Sequence, residues 1–269
     1  MFRPLLALSF FCSMTFTPLA EADTKEGFPG RPEYPDVKVL SKEDLFRDLD
    51  KYVVVDARSS LEFETLRIKG AINIPVASKT FAQQVVALRK ENKKPIAFYC
   101  NGRSCYKSYK ASREAKAAGV KNVHAYDAGV FEFAQAYPEK AILLGKSPIN
   151  PNDIIPKSAY KKRLLKPDEF SQRAYDMGPD SLILDVRDKY QRGATGFFVN
   201  KERWASLDDK QKLTQYLRKA AAEKKTLFIY DEVGKQVRWL QYTLEQEKIH
   251  DYYFMQHGAK GYYDTLMKF

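Results

Sequence analysis

The stretch Pro95-Ile96-Ala97-Phe98-Tyr99-Cys100-Asn101-Gly102-Arg103-Ser104-Cys105-Tyr106 decides the reading of this chain. It opens with a short apolar run of strand length. A parallel strand covered on both faces reads this way, because neither side of its pleat meets water. A Gly-containing loop follows Cys100, and Ser104 to Ala118 then has helical spacing, closed by Gly119. Strand, tight loop and helix in that order put Cys100 beyond the carboxyl end of a strand, where open parallel sheets bind ligands. A loop wrapped into a helix N-terminus aims several backbone N–H groups inward and makes an anion cradle. Those N–H groups also favour a thiolate, so Cys100 is the candidate nucleophile. Asn101, Gly102, Arg103, Ser104, Cys105 and Tyr106 are the candidate substrate cradle, with Arg103 and Lys107 adding positive potential.

Outward from this stretch the pattern keeps alternating. Ser41 opens a short helix, Tyr52–Asp56 is a buried strand, and Phe81–Lys90 has helical spacing. Asn122–Tyr126 is a further strand, and a helix starts near Val130. Strands alternating with helices predict an α/β fold with a mainly parallel sheet flanked by helices. The order then returns beyond the Pro-rich stretch 148–156. Leu182–Arg187 echoes Val53–Arg58 at an offset of 129, Thr226–Asp231 echoes Pro95–Cys100 at 131, and His257-Gly258 echoes Ala128-Gly129 at 129. Two small indels explain the shifting offset: the first copy is two residues shorter before Cys100 and two longer after it. Duplication accounts for three ordered matches better than chance does.

The N-terminus is expected to be an address. Residues 1–22 combine Arg3, an apolar run from Leu5 to Phe16 and the ending Ala20-Glu21-Ala22, the pattern of a cleaved secretory signal peptide. Its apolar run is short of the ~20 residues of a spanning helix, so no membrane attachment is expected after cleavage. The chain is expected to be exported, periplasmic or secreted. Residues 23–36 read as a flexible leader, 37–146 as a first domain, 147–159 as a linker and 160–269 as a second domain.

Composition narrows the function classes. The 269 residues are 44% hydrophobic and 29% charged, with 13 Gly and 13 Pro, which excludes collagen-like, disordered and disulfide-scaffold chains. Three Cys and three His are too few and too scattered for a zinc finger, and no metal or organic cofactor is expected. The net charge of +11 survives loss of Arg3 and Glu21 together and suits anionic ligands. Nucleic acid is not expected as a partner, because the charge is dispersed and export argues against it.

With these residues in view, the chain resembles a tandem rhodanese-type sulfurtransferase over about residues 37–269. Val54-Val55-Asp56-Ala57-Arg58, Glu62-Phe63 and Ile68-Lys69-Gly70-Ala71-Ile72-Asn73-Ile74-Pro75 are similar to that family's early signature. Phe98–Gly102 resembles its active-site strand and loop, and Asp127-Ala128-Gly129 with Phe131 and Phe133 its late turn. The resemblance implies two rhodanese-like domains and a Cys100 persulfide. A small anionic donor such as thiosulfate would supply the sulfur, and a thiol or cyanide would accept it. A protein partner stays open. Asp56 and Arg58 are expected to tie strand to loop rather than touch substrate. The second copy carries Asp231 where the first has Cys100, so it is expected to be inactive, with Asp231 capping the helix near Gly234. Arg67 stands where many relatives have His.

Three competitors share the motifs. Cys100 and Cys105 together suit thiol and persulfide redox work. A passive place for Cys105 in the cradle is preferred, because a permanent disulfide would consume the nucleophile. A phosphatase would want Cys-x5-Arg, but Tyr106 stands at that position. A non-enzymatic anion- or protein-binding module is the third.

Overall fold

The computed structural model describes residues 27–193 and 196–267, so the expected signal segment 1–22 lies outside the described residues. The first half contains strands β1 (Val39–Leu40), β2 (Val53–Asp56), β3 (Leu66–Ile68), β4 (Ile72–Asn73), β5 (Ile96–Tyr99), β6 (Val123–Tyr126) and β7 (Ala141–Leu143). Between and around them run helices α1 (Gly30–Glu33), α2 (Lys42–Arg47), α3 (Ser60–Thr65), α4 (Phe81–Glu91), α5 (Lys107–Ala117) and α6 (Gly129–Ala136). The second half has strands β8 (Leu164–Leu165), β9 (Ser181–Asp185), β10 (Glu202–Trp204), β11 (Thr226–Tyr230) and β12 (Tyr252–Met255). Its helices are α7 (Lys157–Lys161), α8 (Pro167–Asp176), α9 (Lys189–Arg192), α10 (Lys210–Ala222), α11 (Val237–Gln246) and α12 (Gly258–Leu266).

Each half builds a five-stranded sheet. The orders are β1-β6-β5-β2-β4 and β8-β12-β11-β9-β10, the same path taken twice, with every pairing parallel. The central strands β5 and β11 are buried at every position, which is why they read as unbroken apolar runs. The repeat extends to single bonds: Ala57 N–H donates to the Tyr99 carbonyl at 3.0 Å, and Val186 N–H to the Tyr230 carbonyl at 3.0 Å. The first half adds an antiparallel pair, β3 with β7.

Two expectations about connecting segments change. The leader is not loose over its described part, residues 27–36. Gly30–Glu33 is helical, Arg31 Nε donates to Asp127 Oδ2 at 2.9 Å, and Tyr109 donates to the same oxygen at 2.5 Å. Arg113 pairs with Asp36 at 2.6 Å. The cause is charge and aromatic complementarity with α5 and the end of β6. The linker is equally bound: Ile149 and Ile154 are buried in the first core, and the Ile155 N–H donates to Tyr242 Oη at 3.1 Å. Trp239 and Tyr242 of α11 sit in that same apolar cluster, so the two halves share a seam. Among the described residues no helix is long and apolar enough to cross a membrane.

Candidate active site

Strand β5 delivers Cys100 to the end of the sheet, where the residue is 0% exposed. The loop behind it is held by backbone contact. The Val130 N–H donates to the Cys100 carbonyl at 2.9 Å, and Gly129, at φ 78°, lies so close that a Cβ there would collide with the Asn101–Gly102 backbone. Glycine is required at this position both by its conformation and by the approach.

A buried polar chain fixes the loop from below. Asp56 accepts from the Arg58 backbone at 2.9 Å and from its guanidinium at 2.6–3.1 Å, with both residues fully buried. Burial opposes the charge on Arg58, but Asp56 more than offsets it and leaves the guanidinium's pKa raised. Arg58 Nη1 then reaches Asn101 Oδ1 at 3.0 Å, and Asn101 Nδ2 donates to Glu62 Oε1 at 2.8 Å. Asp56 and Arg58 thus tie strand to loop. Glu62 closes the capping box of α3 with Ser59 and pairs with Lys107 at 3.1 Å. Burial opposes ionisation of Glu62, yet Lys107, Arg58 and Asn101 together hold its pKa down to about 2.

The two cysteines meet inside the loop. The Cys105 N–H donates to the Gly102 carbonyl at 2.8 Å, a turn that brings Cys105 back over Cys100. The Cys100 thiol donates to the Cys105 carbonyl at 3.1 Å and lies 3.8 Å from Ser108 Oγ. It also interacts as donor with the Cys105 sulfur, which accepts from the backbone N–H groups of Lys107 and Asn101. That hydrogen bond from Cys100, opposed by burial and aided by the two N–H groups, brings Cys105 down to about 6. Burial and the neighbouring Cys105 push Cys100 up. The backbone N–H groups of Asn101, Lys107 and Ser108 thus favour negative charge on this pair of sulfurs.

A cavity of about 530 Å³ lies between the two halves, bordered by Cys105 while Cys100 stays buried behind it. Cys105, Lys107 and Lys110 face it from one side, and Lys157, Arg238 and Trp239 from the other. Asn101, Ser104 and Tyr106 also border it, whereas Gly102 and Arg103 do not. Arg103 is a correction: its guanidinium pairs with Glu132 at 2.5 and 2.9 Å and stacks on Phe28, which turns it away from the cavity. The far wall was not foreseen from sequence. Trp239 lies 5.1 Å from the Arg58 guanidinium, and Ser59 donates to Gln236 at 2.8 Å. Among the described residues no group of three or more His, Cys, Asp or Glu side chains converges as metal ligands do.

The loop, its Gly129 support and the Asp56–Arg58 brace sit on one parallel sheet. Residues 41–136 match the rhodanese-like domain family. No curated protein matches the chain. Among solved structures, the chain is similar to a thiosulfate sulfurtransferase from Pseudomonas aeruginosa at 18% identity, over 84% of this chain and 44% of that one, with a TM-score of 0.34. It is also similar to a rhodanese-like domain from Anabaena, at 16% identity over 40% of this chain and 81% of that one, TM-score 0.35. A Bacillus halodurans protein is 19% identical over 50% of this chain and 97% of its own, TM-score 0.36.

The rhodanese-like domain has a counterpart of its loop in the second half. Asp231 follows β11, and its carboxylate accepts from the backbone N–H groups of Val233 at 3.0 Å, Gly234, Gln236 at 2.5 Å and Val237 at 3.0 Å. Asp185 and Arg187 repeat the brace at 2.8–3.1 Å. Gly258, at φ 61°, repeats the close approach against the Asp231 carbonyl.

Proposed function

We propose that this protein is an exported sulfurtransferase with one working site. The Cys100 thiolate attacks the outer sulfur of an anionic donor such as thiosulfate. The sulfur–sulfur bond of the donor breaks, sulfite leaves with its electron pair, and Cys100 carries a persulfide. A thiol or cyanide then takes the outer sulfur and regenerates Cys100. The second half is an inactive rhodanese-like copy, because an Asp231 carboxylate cannot hold a persulfide. The carrying observation is the loop after Cys100, whose N–H groups converge on sulfur beside a cavity lined by Lys107, Lys110, Lys157 and Arg238. Positive side chains and inward N–H groups suit a dianionic donor and an anionic persulfide.

Intact mass tests the reading. The reduced Cys105→Ser protein, which has no second thiol in the loop, should gain one sulfur atom from thiosulfate and release sulfite. The Cys100→Ser protein should do neither. Sulfur uptake that survives loss of Cys100 would place the chemistry elsewhere.

A further inference from the structure

The residue that meets the Cys100 thiol at the loop is a second cysteine, Cys105. Cys105 returns over Cys100 because the loop is longer here than in the second half. Seven residues separate Cys100 from Ser108, whose N–H reaches the Cys100 sulfur; five separate Asp231 from Val237, whose N–H reaches the Asp231 carboxylate. The additional residues place Cys105 at the mouth. Cys100 is fully buried, whereas Cys105 is partly exposed and borders the cavity. The cavity borders Cys105 and not Cys100, so an acceptor seated in it meets Cys105.

We propose that Cys105 is a resolving thiol, which discharges the Cys100 persulfide as hydrosulfide and leaves a Cys100–Cys105 disulfide for an external dithiol to reduce. The proposal rests on the sulfurtransferase reading. Cys105 thiolate attacks Sγ of Cys100, a new sulfur–sulfur bond forms between the two residues, and the bond to the outer sulfur breaks. The outer sulfur leaves as hydrosulfide with the bonding pair. The two cysteines are oxidised together by two electrons, and the sulfane sulfur is reduced by two. A dithiol reductant then returns both cysteines to thiols by exchange. The Cys100 thiol lies 3.1 Å from the Cys105 carbonyl, and the turn from Gly102 to Cys105 holds the two residues beside each other. Backbone N–H groups of Lys107 and Asn101 point at the Cys105 sulfur and favour its thiolate, the attacking form.

The full chain is reduced, freed of small thiols and mixed with thiosulfate. The expected result is sulfite and sulfide released together, a mass loss of two hydrogens, and a bridged Cys100–Cys105 peptide on non-reducing mapping. Cys105→Ser should instead keep the extra sulfur and cut sulfide release to background. A wild-type chain that holds the persulfide and releases no sulfide overturns the proposal while leaving the sulfurtransferase reading intact. Absence of sulfur uptake and sulfite in the Cys105→Ser protein overturns that reading instead. A second measurement tests the pair without a sulfur donor: in a glutathione redox buffer the wild-type bridge should form at a defined potential. A chain whose Cys100 and Cys105 stay unbridged under oxidised glutathione contradicts the proposal in its own right.

Discussion

The two loops at the ends of β5 and β11 are the same device in different states. In the second half, four backbone N–H groups close on the Asp231 carboxylate, a charge that is covalently fixed and cannot leave. In the first half, the N–H groups of Asn101, Lys107 and Ser108 close on two sulfurs, whose protons and bonds can change. The second loop shows what this backbone is shaped to hold: one compact negative group. The first keeps that shape and leaves the place to chemistry.

The largest contrast should appear in turnover. Cys100→Ala is expected to lower sulfur transfer by about 10³-fold or more, and Asp231→Ala to leave it within about threefold. Comparable losses in a thiosulfate assay would mean that both loops serve one reaction. The braces come next. Asp56→Ala strands a fully buried Arg58 guanidinium and should cost about 3–5 kcal/mol in urea unfolding. Asp185→Ala should cost less, because Arg187 also lies 3.6 Å from Glu232 and is 5% exposed. Equal costs would show that Glu232 contributes nothing.

A pH profile separates the two capping boxes. Ser59 with Glu62 opens α3, and Asp188 with Gln191 opens α9, so the third helical position carries an acid in one copy and an amide in the other. Glu62 has a folded pKa of about 2 against 4.5 ordinarily. Its stabilisation is therefore complete above about pH 4.5 and is lost as pH falls toward 2. Glu62→Gln should lower neutral-pH stability by roughly 1–3 kcal/mol and flatten the acid limb of the stability profile. An unchanged acid limb would remove Glu62 from the account. Asp231→Ala should affect stability to a similar degree. Four N–H groups lose their acceptor, partly compensated by water, for about 1–3 kcal/mol. Millimolar sulfate should recover part of this by entering the emptied loop, and identical sulfate responses in variant and wild type would argue against an anion-shaped cradle.

The sheet was legible because its signals are local. Apolar runs such as Ile96–Tyr99 and the Asp56-Ala57-Arg58 mark carry their structure within a few residues. The helix after Cys100 was harder: it starts at Lys107 rather than Ser104, because the backbone of 101–106 is used around the sulfurs. Arg103 reads as a substrate charge until Glu132, 29 residues on, is seen to bind it. The second half hides its match to Asn73. There Trp204 donates to the Arg187 carbonyl at 2.8 Å, as Asn73 donates to the Arg58 carbonyl at 3.0 Å, and an indole does not look like an amide. The cavity's far wall depends on how the halves pack, which no local pattern encodes.

That packing sets how the molecule comes apart. Trp239 and Tyr242 belong by sequence to the second half but are buried, 2% and 3% exposed, among apolar side chains of the first. Phe131 stacks on Trp239 at 5.4 Å. Unfolding the second half would withdraw these rings and wet the face beside Arg58, so the two halves are expected to melt together. The copy without the thiol is thereby part of the folding unit that holds the copy with it, and cooperativity alone is reason enough for both to persist in one chain.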